Sequence, residues 1–238
     1  MNQIPLPLGR KIAYSPDNFV LHSGIKALVD RTLNEIVQDR FSIVYIKGGR
    51  RSGKTHLSLY LALAASTKGL YPILLEGAFL ENEMKHLDLK GGVDSSYLVL
   101  IDDIENYFLQ PSYSDSGAFV HFVEYLRVRK ASLVIFSSRC IDELPVDEHV
   151  RSRLLPGGAN EIREPARTEM LELLHVMAQQ RGILLKQRKR EFLLKRMRTE
   201  IPAIEQFLES VLEFSSGDAR SLHYKLLRAA LDKGQGTK

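Results

Sequence analysis

The chain has 238 residues, of which 44% are hydrophobic and 26% charged, the composition of an ordinary globular protein. Its single cysteine, Cys140, excludes an internal disulfide and is typical of a reducing compartment, so we expect a cytoplasmic location. No apolar run approaches the roughly 20 residues that a membrane span needs. The 33 Lys and Arg residues outnumber the 29 Asp and Glu residues by four, and this charge alone does not distinguish a nucleic-acid partner from none.

The N-terminal segment of residues 3–8, QIPLPL, is apolar and interrupted by prolines. Pro5 and Pro7 each remove a backbone donor and favour an extended preceding residue, so we expect no helix here. A secretory signal is not expected either, because Arg10 and Lys11 follow the apolar residues, whereas the basic part of a signal precedes them.

Apolar, β-rich runs alternate with segments of helical period in the first two thirds of the chain. This order predicts a parallel sheet covered by helices on both faces, since parallel strands need long crossover connections. The expected strands are 41–47, 71–76, 97–103 and 132–138, and the expected helices are 25–38, 54–69 and 116–130.

Near residue 165 the pattern becomes entirely helical. Amphipathic segments occupy 167–180, 190–197 and 203–214, and another follows Gly217 as a stop and Asp218 as an N-cap. We therefore expect an N-terminal tail at 1–17, an α/β domain at 18–164 and a small all-α domain at 165–238, here called the lid. The clearest apolar stripe is formed by Ile204, Phe207, Leu208, Val211 and Leu212.

A glycine-rich loop, GGRRSGKT at residues 48–55, lies directly between a predicted strand and a predicted helix. Gly48 and Gly53 allow the backbone to wrap so that its N–H groups point at a phosphate, and the start of the helix adds a favourable dipole. Lys54 can reach the β- and γ-phosphates, and Thr55 can offer its hydroxyl to Mg²⁺. The loop therefore predicts a nucleoside triphosphate site.

Two acids follow the apolar run YLVLI at residues 97–101. Asp102 and Asp103 are expected at the carboxyl edge of the sheet, beside the phosphate loop. Asp102 would position Mg²⁺ through water, and Asp103 would polarise the attacking water.

Further polar residues follow the last predicted strand. Ser137 and Ser138, with Arg139, could contact the γ-phosphate, or they could form an ordinary turn. Arg151 and Arg153 precede the lid, and such an arginine often acts on the nucleotide of a neighbouring subunit. A solvated basic turn remains the alternative, and Arg153 is the stronger candidate of the two.

The order of the phosphate loop, LIDDIE, the SSR strand tip, VRSRL and a helical lid resembles the AAA+ ATPases. Within them the chain resembles the DnaA-related branch, and it is closest to the short Hda-type regulators. The fold that this implies is an AAA+ P-loop NTPase core with a parallel sheet, followed by a small all-α lid domain. The implied cofactors are ATP or ADP and Mg²⁺.

The resemblance also implies roles for individual residues. Thr55 and Asp102 would hold the metal, Asp103 the water, and Arg153 would act in trans. Ser138 stands where the family usually has Asp, and Pro202 stands where the lid usually carries an arginine, for which Arg220 is the substitute one helix later. The nucleotide would be held by Gly48, Gly49, Arg50, Arg51, Ser52, Gly53, Lys54 and Thr55, with His56 just behind them.

Hda-like proteins carry a clamp-binding peptide of the form Gln-x-x-Leu-Pro-Leu at the N-terminus. The resemblance therefore implies that the tail docks on the DNA sliding clamp, and prolines reduce the entropy that an extended peptide loses on docking. Because the chain ends at Lys238, we expect no helix-turn-helix domain and no sequence-specific origin binding. The tail residues that match this form are Gln3, Leu6, Pro7 and Leu8, with Ile4 between them.

The segment 186–198 of the lid holds seven Lys and Arg residues and one Glu. It could be a solvated face, a DNA contact or a surface for an acidic protein. Its one aromatic residue, Phe192, is expected to be buried by the helical stripe, so no stacking platform for single strands is predicted.

These features leave several functions open. The first is a regulator that limits replication initiation. It would be tethered to the DNA sliding clamp and would stimulate hydrolysis of the ATP bound to the initiator DnaA. The alternatives are a self-standing ATPase of the helicase-loader type acting on single-stranded DNA, a small-molecule kinase, and a nucleotide-gated adaptor that barely hydrolyses ATP. Intact Lys54, Asp102 and Asp103 are compatible with a weak ATPase, and a homo-oligomer is also left open.

Overall fold

The computed structural model describes residues 19–89, 94–110, 113, 116–198, 200–215 and 222–235. The chain divides into two compact units, Leu21–Ala166 and a second unit with Phe19, Val20 and the described residues from Arg167 onward. Outside the described residues lie the tail with Gln3, Ile4, Leu6, Pro7 and Leu8, and also Gly217, Asp218 and Arg220.

The first unit contains a five-stranded sheet in which every pairing is parallel and the strand order is β2-β3-β4-β1-β5. The carboxyl ends of neighbouring strands meet at one edge, where Lys47 pairs with Ser137 and Glu76 with Asp102. The strands are β1 (Ile43–Lys47), β2 (Tyr71–Glu76), β3 (Tyr97–Asp102), β4 (Ser132–Ser137) and β5 (Asn160–Glu161).

The three predicted helices of this unit are present, and three shorter ones accompany them. The additional helices α3, α4 and α6, like β5, are too short to show a clear period in the sequence. The helices are α1 (Ser23–Ile36), α2 (Lys54–Ser66), α3 (Leu80–Leu89), α4 (Glu105–Phe108), α5 (Gly117–Val128) and α6 (Glu148–Leu154).

The inner strands are buried on both faces, which explains why their sequences are continuous apolar runs. All six residues of β4 are buried, as are Leu98–Ile101 of β3. One face packs against α5, whose Phe119, Val123 and Leu126 are buried in the same cluster as Val99 and Ile135. This core holds the strand ends at fixed positions.

The second unit is all-helical, with α7 (Met170–Gln180), α8 (Gln187–Leu194), α9 (Ile201–Phe214) and α10 (Tyr224–Gln235). It has its own core, in which Leu174, Phe207 and Leu227 are packed together. The predicted stripe of α9 is buried except at Leu212, which is 39% exposed. Pro202 lies in the first turn of α9, where a missing backbone N–H costs least.

Among the described residues, no helix combines the length and the apolar character that crossing a membrane requires.

Candidate functional site

The loop between β1 and α2 is held by its backbone. The N–H of Gly48 donates to the carbonyl of Ser137 on the neighbouring strand at 2.8 Å. A Cβ on Gly48 would lie 2.5 Å from Ser52 Oγ and 2.8 Å from Ile162 Cδ1, so a larger residue would fit only if these side chains moved. Gly53 has a φ of 88° and directly precedes α2, a conformation that glycine adopts without strain. The loop therefore leads into the start of α2 through two glycines, with the side chains of Arg50 and Arg51 exposed.

Lys54 links this loop to the end of β3. Its side chain is buried, and its Nζ donates to the carbonyl oxygens of Gly48 at 3.2 Å and Gly49 at 3.4 Å. The same Nζ lies 3.3 Å from Asp103 Oδ1. A cation with three oxygen partners at one spot can exchange some of them for the oxygens of an anionic ligand.

Thr55 and Asp102 form the second link between α2 and β3. The hydroxyl of Thr55 donates to Asp102 Oδ2 at 2.6 Å. Burial raises the pKa of Asp102, the charge of Asp103 raises it further, and the hydrogen bond from Thr55 offsets part of the shift. Hydroxyl and carboxylate oxygens are the ligands that Mg²⁺ prefers, so this pair fits the predicted metal site.

Asp103 lies just beyond the end of β3 rather than within it. Its φ is 46°, in the left-handed region that Asp tolerates better than most residues, and its N–H donates to Asp102 Oδ1 at 3.1 Å. Gly77 permits this turn, because a Cβ there would lie 2.2 Å from the carbonyl oxygen of Asp103. The Asp103 side chain is 41% exposed and so remains accessible beside Lys54.

The sequence did not single out Glu105, which connects α4 to the tip of β4. This buried carboxylate accepts hydrogen bonds from Ser137 Oγ and the Ser138 N–H, both at 2.9 Å, and from the Ser138 hydroxyl. Burial opposes ionisation of Glu105, but the hydrogen bonds from Ser138 and Ser137 outweigh it, so its pKa lies below the ordinary value. The only signal in the sequence was an acid that follows the apolar Ile104 and precedes the aromatic pair Tyr107 and Phe108.

Ser138 is therefore engaged by Glu105 and not directed solely to the loop. The neighbouring Tyr45 hydroxyl donates to the Arg139 carbonyl at 2.9 Å, and burial raises the pKa of Tyr45 to about 12. These contacts fix the backbone of the strand tip. Behind the loop, burial lowers the pKa of His56.

The two arginines of α6 are paired within the chain. Arg153 Nε lies 3.2 Å from Glu124 Oε1, and Arg151 Nη1 lies 3.2 Å from Asp142 Oδ1. The Arg153 side chain is 29% exposed and also donates to the carbonyl of His149 at 3.3 Å. None of these contacts involves the loop of residues 48–55 or the two acids after β3.

No sequence-family model matches the chain. Among curated proteins, the chromosomal replication initiator DnaA of Ehrlichia ruminantium (strain Gardel) is 26% identical over 183 residues, which cover 73% of this chain. The chain spans only 39% of the length of that relative.

Solved structures match over nearly the whole chain. Domain III of DnaA from Thermotoga maritima gives a TM-score of 0.72 at 17% identity and covers 94% of this chain and 97% of that one. AMPPCP-bound DnaA from Aquifex aeolicus gives 0.64 at 21% identity over 94% of this chain and 72% of that one. The chain has the AAA+ P-loop fold.

The RuvB Holliday junction branch migration motor of Thermotoga maritima shares this fold as well, with a TM-score of 0.63 at 18% identity over 93% of this chain and 72% of that one. The predicted fold class is therefore confirmed, with a parallel sheet followed by a helical part. The predicted relation to DnaA is confirmed as weak sequence similarity and a common fold.

Proposed function

We propose that this protein is a DnaA-related AAA+ protein that binds ATP or ADP with Mg²⁺ at the loop of residues 48–55. The observation that carries the proposal is the double link between α2 and β3, in which Lys54 meets Asp103 and Thr55 meets Asp102. A cation, a hydroxyl and two carboxylates at the open end of a phosphate-type loop match the needs of a magnesium nucleotide.

The proposed roles follow from the contacts. Lys54 exchanges loop carbonyls for phosphate oxygens, while Thr55 and Asp102 hold Mg²⁺ and Asp103 orients a water. When bound, Mg²⁺ would neutralise part of the negative charge of the phosphates. Backbone N–H groups of the loop between Gly49 and Thr55 would bind the phosphates, since the Gly48 N–H already donates to the Ser137 carbonyl.

Substitution of Lys54 tests nucleotide binding. We expect Lys54→Ala to abolish binding of fluorescent ATP and ADP, because no other buried cation contacts the described loop. Lys68→Ala, which removes an exposed cation at the other end of α2, is the matched control and should bind like the wild type. Equal affinities of Lys54→Ala and wild type would refute the proposed site.

The finer proposal is that the protein regulates chromosomal replication initiation in the manner of Hda. It would dock on the sliding clamp through Gln3, Ile4, Leu6, Pro7 and Leu8, and Arg153 would stimulate ATP hydrolysis by the initiator DnaA. Partial exposure of Arg153 supports this role, since its bond to one carboxylate, Glu124, can be exchanged for a partner's phosphate. Engagement of Ser138 by Glu105 favours slow hydrolysis of the protein's own nucleotide.

Initiator turnover tests this regulatory role. ATP hydrolysis by DnaA, measured with clamp-loaded DNA, should rise when the wild type is added and should not rise with Arg153→Ala. Arg151→Ala is the control, because Arg151 lies on the same helix but pairs with Asp142.

Substituting Ala for Gln3, Leu6 and Leu8 should abolish clamp binding and leave nucleotide binding intact. No stimulation by the wild type would contradict the role.

The alternative is a helicase loader that hydrolyses its own ATP. The complete set of Lys54, Thr55, Asp102 and Asp103 supports it. Rapid turnover by the protein alone, together with binding to a replicative helicase, would favour this alternative over the regulator.

A further inference from the structure

A basic and aromatic surface on the second unit has no role in the proposed function. It combines the exposed side of α8 with the start of α10, and it is defined here as the α8–α10 surface. A groove of about 650 Å³ opens on it and is lined by Lys186, Gln187, Arg188, Lys189, Glu191 and Tyr224. Both helices belong to one compact unit, so the surface is complete in itself.

The charge of this surface is almost entirely positive. Arg188 and Lys195 are exposed and lie seven positions apart, which places them on the same side of the helix. Within the described part of the chain, no carboxylate pairs with Lys186, Arg188 or Lys195. The one acid, Glu191, accepts instead from the neutral amide of Gln187 at 2.9 Å. Three exposed cations that have no carboxylate partner among the described residues attract a polyanion.

Aromatic rings lie among these cations. The expectation that Phe192 is buried is wrong: the ring is only half-buried, because it lies at the edge of the core and not inside it. Tyr224 of α10 stands edge-on to it at 5.1 Å between ring centres and is 45% exposed. The Arg196 guanidinium lies 4.0 Å from the centre of the Phe192 ring, and Lys189 Nζ lies 5.9 Å from that of Tyr224.

We propose that the α8–α10 surface binds single-stranded nucleic acid. Exposed cations along α8 would track the phosphates, and the exposed ring of Tyr224 would stack on a base. An acidic polypeptide would use the cations but has no planar base for the ring, so the presence of Tyr224 among them favours a nucleic acid. The double helix is less suited, because its bases are already stacked on one another and are not available to an aromatic side chain.

The test is binding of a fluorescent oligo(dT) of about 20 nucleotides to the full chain, measured by fluorescence anisotropy at salt concentrations between about 50 and 200 mM. Arg188→Ser/Lys195→Ser should weaken binding and reduce the slope of log K against log salt by about 1.4, which corresponds to two phosphate contacts of about 0.7 each. Arg40→Ser/Lys68→Ser removes two exposed cations from the other unit and should leave the slope unchanged.

The aromatic part is tested separately. Tyr224→Ala should weaken oligo(dT) binding about tenfold, as expected for the loss of one stacked base, whereas Tyr224→Phe should stay close to the wild type. Melting temperature and ATP binding of each variant establish that the fold and the nucleotide site are intact. The measurement of oligo(dT) binding does not depend on the proposed function.

Three results would overturn the proposal. The wild type could fail to bind oligo(dT) saturably at 50 mM salt. The two double variants could bind equally well. Poly-glutamate could compete as strongly as oligo(dT) per charge while Tyr224→Ala binds normally, and the surface would then recognise an acidic polypeptide.

Discussion

Asp102 and Glu105 are three residues apart in the chain, but their surroundings shift their pKa values in opposite directions. Asp102 is half-buried beside the negative charge of Asp103, and its pKa is raised, chiefly by this burial. Glu105 is more deeply buried, but it accepts hydrogen bonds from Ser137 and Ser138, and its pKa is lowered. At pH 7 the charge of Asp102 therefore lowers the free energy of unfolding, whereas the charge of Glu105 raises it.

For Asp102 we expect that Asp102→Asn raises the melting temperature at pH 7. A carboxyl group whose pKa is higher in the folded state stabilises the fold only while it is protonated, and this contribution is lost as the pH rises through the folded pKa. The gain over the wild type should therefore disappear below about pH 4, near the unfolded pKa. Differential scanning fluorimetry of both proteins without nucleotide, from pH 3 to 8, measures this difference in melting temperature. A lower melting temperature at pH 7 would contradict the argument, and Mg²⁺-dependent ATP binding should be lost in the same variant.

For Glu105 the sign is reversed. Glu105→Gln should destabilise the fold at pH 7 by about 2 kcal/mol, because it replaces a charged acceptor of several hydrogen bonds by a neutral amide. The contribution of the carboxylate is present above its unfolded pKa and is lost as the pH falls through the lower folded pKa. Urea unfolding at pH 7 and at pH 3 measures this, and the two proteins should differ less at pH 3 than at pH 7. An equal difference at both pH values would indicate lost packing instead of lost charge.

At the scale of elements, the site depends on how closely strand ends approach one another. The turn after β3 passes directly over the residue that follows β2, and Gly77 makes room for the Asp103 carbonyl. The sheet register brings these two strand ends side by side. The position of Asp103, and through it the contact with Lys54, therefore depends on Gly77, which directly follows the neighbouring strand β2.

This contact makes Gly77→Ala the most informative glycine substitution. The added methyl would lie 2.2 Å from backbone, which cannot move as a flexible side chain does, so we expect a loss of about 1–3 kcal/mol. The melting temperature should fall by about 5 °C. Gly49→Ala is the control for stability, because nothing lies within 4 Å of its Cβ. Equal melting temperatures of the two variants would refute the steric argument.

At the scale of the whole molecule, the described residues of each unit pack into a core of their own. Ile135 belongs to the core between the sheet and α5, and Leu208 belongs to the core of the four helices from α7 to α10. Both side chains are fully buried. Each unit therefore has its own source of hydrophobic stabilisation.

Calorimetry should reveal this division. Ile135→Ala and Leu208→Ala should each cost about 2–5 kcal/mol, the range for a truncated buried side chain. We expect each substitution to lower a different part of the melting profile, since each acts on one core. A single transition that both variants lower equally would show that the two units unfold together.

The amino-acid sequence by itself determined β1 to β4, the main helices and the placement of the glycine-rich loop between β1 and α2, because these depend on local apolar period and on glycine and proline. It also indicated the acids Asp102 and Asp103 and the arginine pair of α6. Short elements such as α4 and β5 carry too few residues for a period and were not predicted.

Only the tertiary structure decided which of these residues meet. The bonds from Lys54 to Asp103, from Thr55 to Asp102 and from Ser138 to Glu105 join residues that are far apart in the chain, and the exposure of Phe192 depends on α10. Such contacts follow from sheet order, register and packing, which one segment's sequence does not contain. Local pattern therefore determines the elements, whereas long-range packing determines the chemistry of the site.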